Sequence, residues 1–194
     1  MSLTQHRLDL ILERIENPRF LQSDGLGNEV GFWIFDYPAR DELLVRHHLS
    51  YLQQKLTQRG YNFLHLNLFE LIIQMLDQRK LLERTFTREK EIGSDQLKKA
   101  LAGPLHQKNI TKFIADTYEL TSYDFVIVSG LGSAWPLVRG HELLSALQDI
   151  MGNTPLVLFY PGEYSGQDLH PFGLVESRNY YRAFKLVPET TMSR

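Results

Sequence analysis

The chain of 194 residues contains no cysteine. That absence excludes disulfides, cysteine-ligated zinc, iron–sulfur clusters and a cysteine nucleophile, and it fits a reducing compartment. A dominant charge is lacking too. Lys and Arg number 21 against 23 Asp and Glu, a formal net charge of -2, so no global electrostatic case for a nucleic-acid partner exists. No apolar run approaches the roughly 20 residues of a membrane span. Residues Met1 to Arg7 lead into a helix carrying Asp9 and Glu13 instead of an apolar h-region, which argues against a signal peptide. The pattern G-x4-G-K-[ST] is absent, and with it the Lys and Ser/Thr that meet β/γ-phosphates and Mg²⁺. Apolar residues make up 43% and charged residues 23%, the composition of a soluble globular domain. Cytoplasmic residence and no membrane partner are the expectation.

What is present is organised around Tyr123-Asp-Phe-Val-Ile-Val-Ser-Gly-Leu-Gly-Ser-Ala-Trp-Pro136. An amphipathic run from Leu137 to Met151 follows, then the apolar run Pro155 to Pro161. Strand, glycine loop, helix and strand in that order predict a right-handed βαβ unit of a parallel sheet. Val30 to Phe35 reads as another buried strand, ending at Asp36-Tyr37-Pro38. A helix over 40–58 follows, with Leu43, Leu44, Leu49, Tyr51, Leu52 and Leu56 facing the core and Gly60 at its C′ position. With the strand 61–67, residues 30–67 form a second βαβ unit.

The remaining segments fit around these units. Leu3, Leu8, Ile11, Leu12 and Ile15 define one helix over 3–16, with Arg7, Glu13, Arg14 and Glu16 off its apolar face, closed by Asn17-Pro18. Residues 23–28 are a turn cluster. Helices are predicted over 68–83, from Ser94 and over 105–120, with a charged connector at 85–91. The segment 162–173 reads as a long polar loop, and 180–187 as a last strand in which Tyr180, Arg182 and Lys185 face partly outward. The sum is a single α/β domain over 1–194 with a helical excursion at about 68–120. Its sheet is a mostly parallel, five-stranded α/β/α sandwich of P-loop or Rossmann type without a Walker A loop. The carboxyl edge, where such sheets bind ligands, carries Asp36, Asn67, Ser129-Gly130 and Tyr160-Pro161-Gly162.

Candidate chemistry at that edge is fragmentary. Gly130-x-Gly132 follows a strand, but Trp135 occupies the third-glycine position of the dinucleotide fingerprint, and no acidic residue closes the next strand. Asp36 ends an apolar strand as a Walker B carboxylate does, and it reads equally as an N-cap-type residue before the 40–58 helix. His47 and His48 point about 100° apart on a helix and cannot share an ion. His65 alternates with apolar neighbours, His141 opens a helix, and His170 could meet a metal only with Glu163 and Asp168. Ser129 and Ser133 are available hydroxyls, but G-x-S-x-G does not occur in register. The basic residues from Arg79 to Lys99 are interleaved with Glu83, Glu89, Glu91 and Asp95, as on a solvated helical surface. No catalytic residue, metal or cofactor is assigned. Gly130, Gly132, Ser133 and Arg139 form a possible anion site. Asp36, Ser129 and Glu163 line an alternative cleft. Arg84, Arg88, Tyr164, His170 and Phe172 are the expected partner contacts, and Trp135, Tyr180, Tyr181 and Phe184 add aromatic side chains near the same edge.

Four segments together carry a resemblance: Phe32 to Pro38, Phe63 to Glu70, Val126 to Arg139 and Pro155 to Gly166. Their distinctive stretches are Gly130-Leu-Gly-Ser-Ala-Trp-Pro-Leu-Val-Arg139 and Tyr160-Pro-Gly-Glu-Tyr164. The chain, from about residue 3 to 188, resembles the BrxB family of BREX bacteriophage-exclusion systems, and no catalytic residue carries over. The resemblance implies a small cytoplasmic component encoded beside a large ATPase, an adenine methyltransferase and an alkaline-phosphatase-like PglZ protein. The implied role is a non-catalytic adaptor in that defence and methylation assembly, with the PglZ-like protein as leading partner. A second reading, from another class, is a degenerate nucleotide- or phosphate-binding enzyme using Asp36, Ser129, Ser133, Arg139 and Glu163.

Overall fold

The apolar runs form parallel strands in the computed structural model, which describes residues 2–22, 31–173 and 183–189. They are β1 (Phe32–Tyr37), β2 (Phe63–Asn67), β3 (Phe125–Ser129) and β4 (Leu156–Tyr164). A short β5 (Leu169–Pro171) and β6 (Phe184–Lys185) follow. The parallel order is β2-β3-β4-β1-β6, and β5 pairs antiparallel with β4 alone. The expected five-stranded parallel sheet is therefore present, with one extra strand taken from the segment read as a loop. β3 and β4 are neighbours, as the βαβ unit at 123–161 requires. β1 and β2 are not, since β4 and β3 lie between them, so the unit at 30–67 is a crossover spanning two strands.

Alternation along each strand sends side chains into two cores. Trp33, Phe35, Phe125, Ile127, Val157 and Phe159 meet α1 (Leu3–Asp9), α2 (Ile11–Ile15), α3 (Pro18–Leu21) and α4 (Glu42–Gln58) on one face. Ile34, Leu64, Leu66, Val126, Val128 and Leu158 lie in the other core. There they meet α5 (Leu68–Gln78), α7 (Ser94–Leu101), α8 (Gln107–Thr117) and α10 (Gly140–Met151). Cover on both faces explains why β1, β3 and β4 read as continuous apolar runs instead of alternating ones.

Local chemistry sets the helix ends. Gly60 (φ 82°) lets the amide of Tyr61 donate to Leu56 O and its own amide to Thr57 O, the paired bonds of a Schellman cap. The same pair closes α5: Leu81 N donates to Leu76 O and Lys80 N to Asp77 O, with Lys80 held at φ 55°. A lysine in that seat hides the stop, so α5 ends before the expected 83. The stretch 85–91, read as a connector, belongs to α6 (Leu82–Ile92), none of whose residues is buried. The N-terminal helix is interrupted at Leu10. The buried stripe of α4 is Val45, Leu49, Leu52 and Leu56. Leu43 and Tyr51, expected in the core, are 77% and 50% exposed.

The turn cluster 23–28, Val30, Tyr180, Tyr181 and Arg182 lie outside the described residues. Among the described residues no helix is long and apolar enough to cross a membrane.

Candidate functional site

The chain leaves β1 toward β2 at one edge of the sheet and leaves β4 past β1 toward β6. Adjacent strands whose connections depart in opposite directions open a crevice at their carboxyl ends. A cleft of about 650 Å³ sits there, lined among others by Asp36, Tyr37, Arg40, Glu163, His170 and Phe172.

Asp36 fills the back of this cleft and is only 4% exposed. Arg7 Nη2 donates to its Oδ1 at 2.6 Å. Tyr164 N and Lys185 Nζ each donate to its Oδ2 at 3.0 Å. Arg7 also donates from Nη1 to Asp36 O at 2.7 Å and from Nε to Val187 O at 3.0 Å. Burial pushes the Asp36 carboxyl up, but the Tyr164 amide, Arg7 and Lys185 together bring it below the ordinary value of 3.8. Asp36, on β1, therefore ties α1, β4 and β6 together, and Arg7 adds the segment after β6 through Val187 O. Asp36 does not cap a helix: α4 begins at Glu42 without a side-chain cap bond. Arg7, placed off the apolar face by its charge, is buried. Its spacing to Ile11 and Ile15 put it on that stripe, and the charge masked the signal.

The cleft's other residues divide. Glu163 pairs with His170 across β4 and β5. Gly162 lies where any Cβ would overlap His170 O and Tyr160, so only glycine passes this crossing. Tyr164, expected at a contact surface, is 1% exposed. Its hydroxyl donates to Ala183 O at 2.9 Å and accepts from Ala183 N at 3.0 Å, so it is a structural post. Phe172 adopts φ 57° and meets Trp135 edge-to-face at 5.3 Å. Among the described residues no cluster of three or more His, Cys, Asp and Glu could hold a metal ion.

A second cleft, of about 350 Å³, opens at the carboxyl ends of β2 and β3 under α4. His65 and Ser129 share the face that carries Phe63, Phe125 and Ile127, because residues two apart on a strand point the same way. His65 Nε2 and Ser129 Oγ are 2.7 Å apart, and both line the cleft with Arg46, Asn67, Glu70 and Ser133. Burial lowers the His65 pKa, partly opposed by the Glu70 charge, which favours the neutral ring at pH 7.

The expected anion site divides likewise. Gly130 is left-handed (φ 75°), and a Cβ there would overlap Asn67 Oδ1. That oxygen accepts from Phe69 N at 3.1 Å and Glu70 N at 3.4 Å, capping α5. Asn67 therefore fills the seat beside the glycine. Gly132 faces Pro161 and Phe172. Ser133, within the four-residue α9 (Leu131–Ala134), accepts from Arg46 Nη2 at 2.8 Å. Arg139 is exposed at the N-cap of α10 and lines neither cleft. Arg84 and Arg88 are exposed on α6, with Arg88 3.3 Å from Glu91.

A model of the family described as BREX protein BrxB matches residues 64–186. A BREX protein BrxB of Escherichia coli O9:H4 (strain HS) is 56% identical over 186 residues, covering 96% of this chain and 92% of that protein. One of Bacillus cereus (strain H3081.97) is 36% identical over 194 residues, covering 96% of this chain and 99% of that protein. No solved structure matches the chain.

Proposed function

The chain belongs to the BrxB family, which makes it a component of a BREX system, and from that premise we propose that it is an adaptor holding a PglZ-like protein within the BREX assembly. The supporting observation is three large apolar side chains left in solvent, each on a segment that follows the carboxyl end of a strand. Leu43 is 77%, Phe69 44% and Trp135 38% exposed. Phe69 lines the second cleft, and Leu43 and Trp135 are near in sequence to residues that line it. Leu43 lies three residues before Arg46 on α4, Arg46 bonds Ser133, and Trp135 follows Ser133 by two residues. Exposed aromatic side chains around a polar centre have the anatomy of an interface. The fully bonded Asp36 fits the same reading, because a carboxylate whose oxygens are already engaged is not itself free to take a ligand in the switch-point crevice.

Co-purification tests it. The chain should retain the PglZ-like protein at moderate salt, with the ATPase and methyltransferase components as further candidates. The double variant Leu43→Glu/Trp135→Glu should lose it at an unchanged circular dichroism spectrum, with the thermal transition lowered only by loss of the Trp135–Phe172 contact. Retention of neither the PglZ-like nor the ATPase protein refutes the adaptor role.

A further inference from the structure

The second cleft holds a pair of groups that the adaptor role leaves unused. His65 and Ser129 come from adjacent strands, meet at 2.7 Å and open into a cleft at the end of the sheet. Nucleophile and base within hydrogen-bond reach is the geometric requirement for an activated hydroxyl. The surroundings suit it. Ser129 is held at the last position of β3, directly before the left-handed Gly130, so its backbone is fixed on one side by the sheet. Glu70, at the start of α5, and Arg46, on α4, are the two charged side chains that line the cleft with the pair. Arg46 stands one helical turn from Glu42, with its Nε 2.7 Å from Glu42 Oε1, and keeps a guanidinium beside Ser133.

We propose that Ser129 is a nucleophile activated by His65 for acyl transfer from a small carboxylic ester or thioester. Ser129 Oγ forms a bond to the carbonyl carbon as its proton passes to His65 Nε2. The tetrahedral adduct collapses, the carbon–oxygen or carbon–sulfur bond to the leaving group breaks, and the departing alkoxide or thiolate takes the proton from His65. Water then attacks the Ser129 ester, His65 accepts its proton, and Ser129 leaves with that proton restored. Ester and water become acid and alcohol, or thioester and water become acid and thiol, with no other reactant. The guanidinium of Arg46 is the group placed to meet negative charge at the cleft. The proposal goes beyond the adaptor reading and does not depend on it.

The test is labelling of the intact chain with a small alkyl fluorophosphonate, read by mass spectrometry with site mapping. Wild-type protein should carry one adduct, on Ser129. Ser129→Ala should carry none. His65→Gln should label about 100-fold more slowly or worse, the usual contribution of a general base, at an unchanged circular dichroism spectrum. Wild-type labelling should also fall as the pH drops below 6.5 and His65 takes up its proton, a readout that survives a variant that fails to fold. An unlabelled wild type, an adduct on Ser133 or any other hydroxyl, or wild-type labelling of His65→Gln would each overturn the proposal and leave a cross-strand hydrogen bond. None of these outcomes bears on retention of the PglZ-like protein.

Discussion

On one side of β4, Asp36 is held by a guanidinium, an ammonium and a backbone amide. On the other, the buried Ser129 has, among the described residues, one side-chain partner, a half-buried histidine, and lines a cleft. Both positions lie at the carboxyl edge, where an α/β sheet places ligands, and both are polar residues within the last two positions of an apolar strand. The difference lies in how completely each is satisfied. A buried carboxylate whose donors come from three distant parts of the chain is a fastener, and moving it would orphan each donor. A hydroxyl bonded to one imidazole can exchange that partner for a substrate at small cost. Position in the fold nominates a site, and the partners decide what it is.

The largest effect should come from the fastener. Arg7→Met leaves Asp36 buried without its guanidinium and strips the carbonyls of Asp36 and Val187 of donors. Removing one partner of a buried ion pair costs about 3–5 kcal/mol, read as a lower urea midpoint at unchanged slope. A loss under about 1 kcal/mol, the median value of a surface pair, would erase the contrast.

Acid gives a smaller effect with a definite sign. The Asp36 pKa is lowered in the folded state, so between its folded and unfolded values the unfolded chain binds the proton and stability rises with pH. The contribution is whole above pH 3.8, the ordinary value, and drains as pH falls through the folded pKa. His65 is also lowered, from 6.5, so its contribution is whole above pH 6.5 and lost below. Unfolding free energies from pH 7 to pH 3 should therefore fall in two steps, Asp36→Asn removing the acid step and His65→Gln the step below 6.5. A profile that either variant leaves unchanged contradicts the corresponding shift.

Much of this was legible in the sequence because burial on both faces writes itself as unbroken apolar runs. β1, β3 and β4, the β3–β4 unit and the Gly60 stop were all read from such signals. The order of strands was not, because nothing local in 30–67 says that two strands must be inserted between β1 and β2. Lys80 in a seat that favours glycine hid the end of α5, and β5 was hidden in a polar segment too short to show a period. At the edge, Asp36, Ser129, Ser133 and Glu163 were nominated by position alone. Arg7, Lys185, Arg46 and the role of His65 were missed, since each acts on a residue 29 or more positions away. Only Arg7 left a trace, on the stripe shared with Ile11 and Ile15.

At the carboxyl edge one cleft is fastened and the other available, and urea unfolding of Asp36→Asn beside Ser129→Ala measures that difference directly. Asp36→Asn should lose on the order of 3 kcal/mol, because Arg7 and Lys185 remain without their countercharge. Ser129→Ala should lose about 1 kcal/mol, the net worth of one hydrogen bond. Equal losses would mean that Ser129 is as structural as Asp36, and the contrast would be wrong.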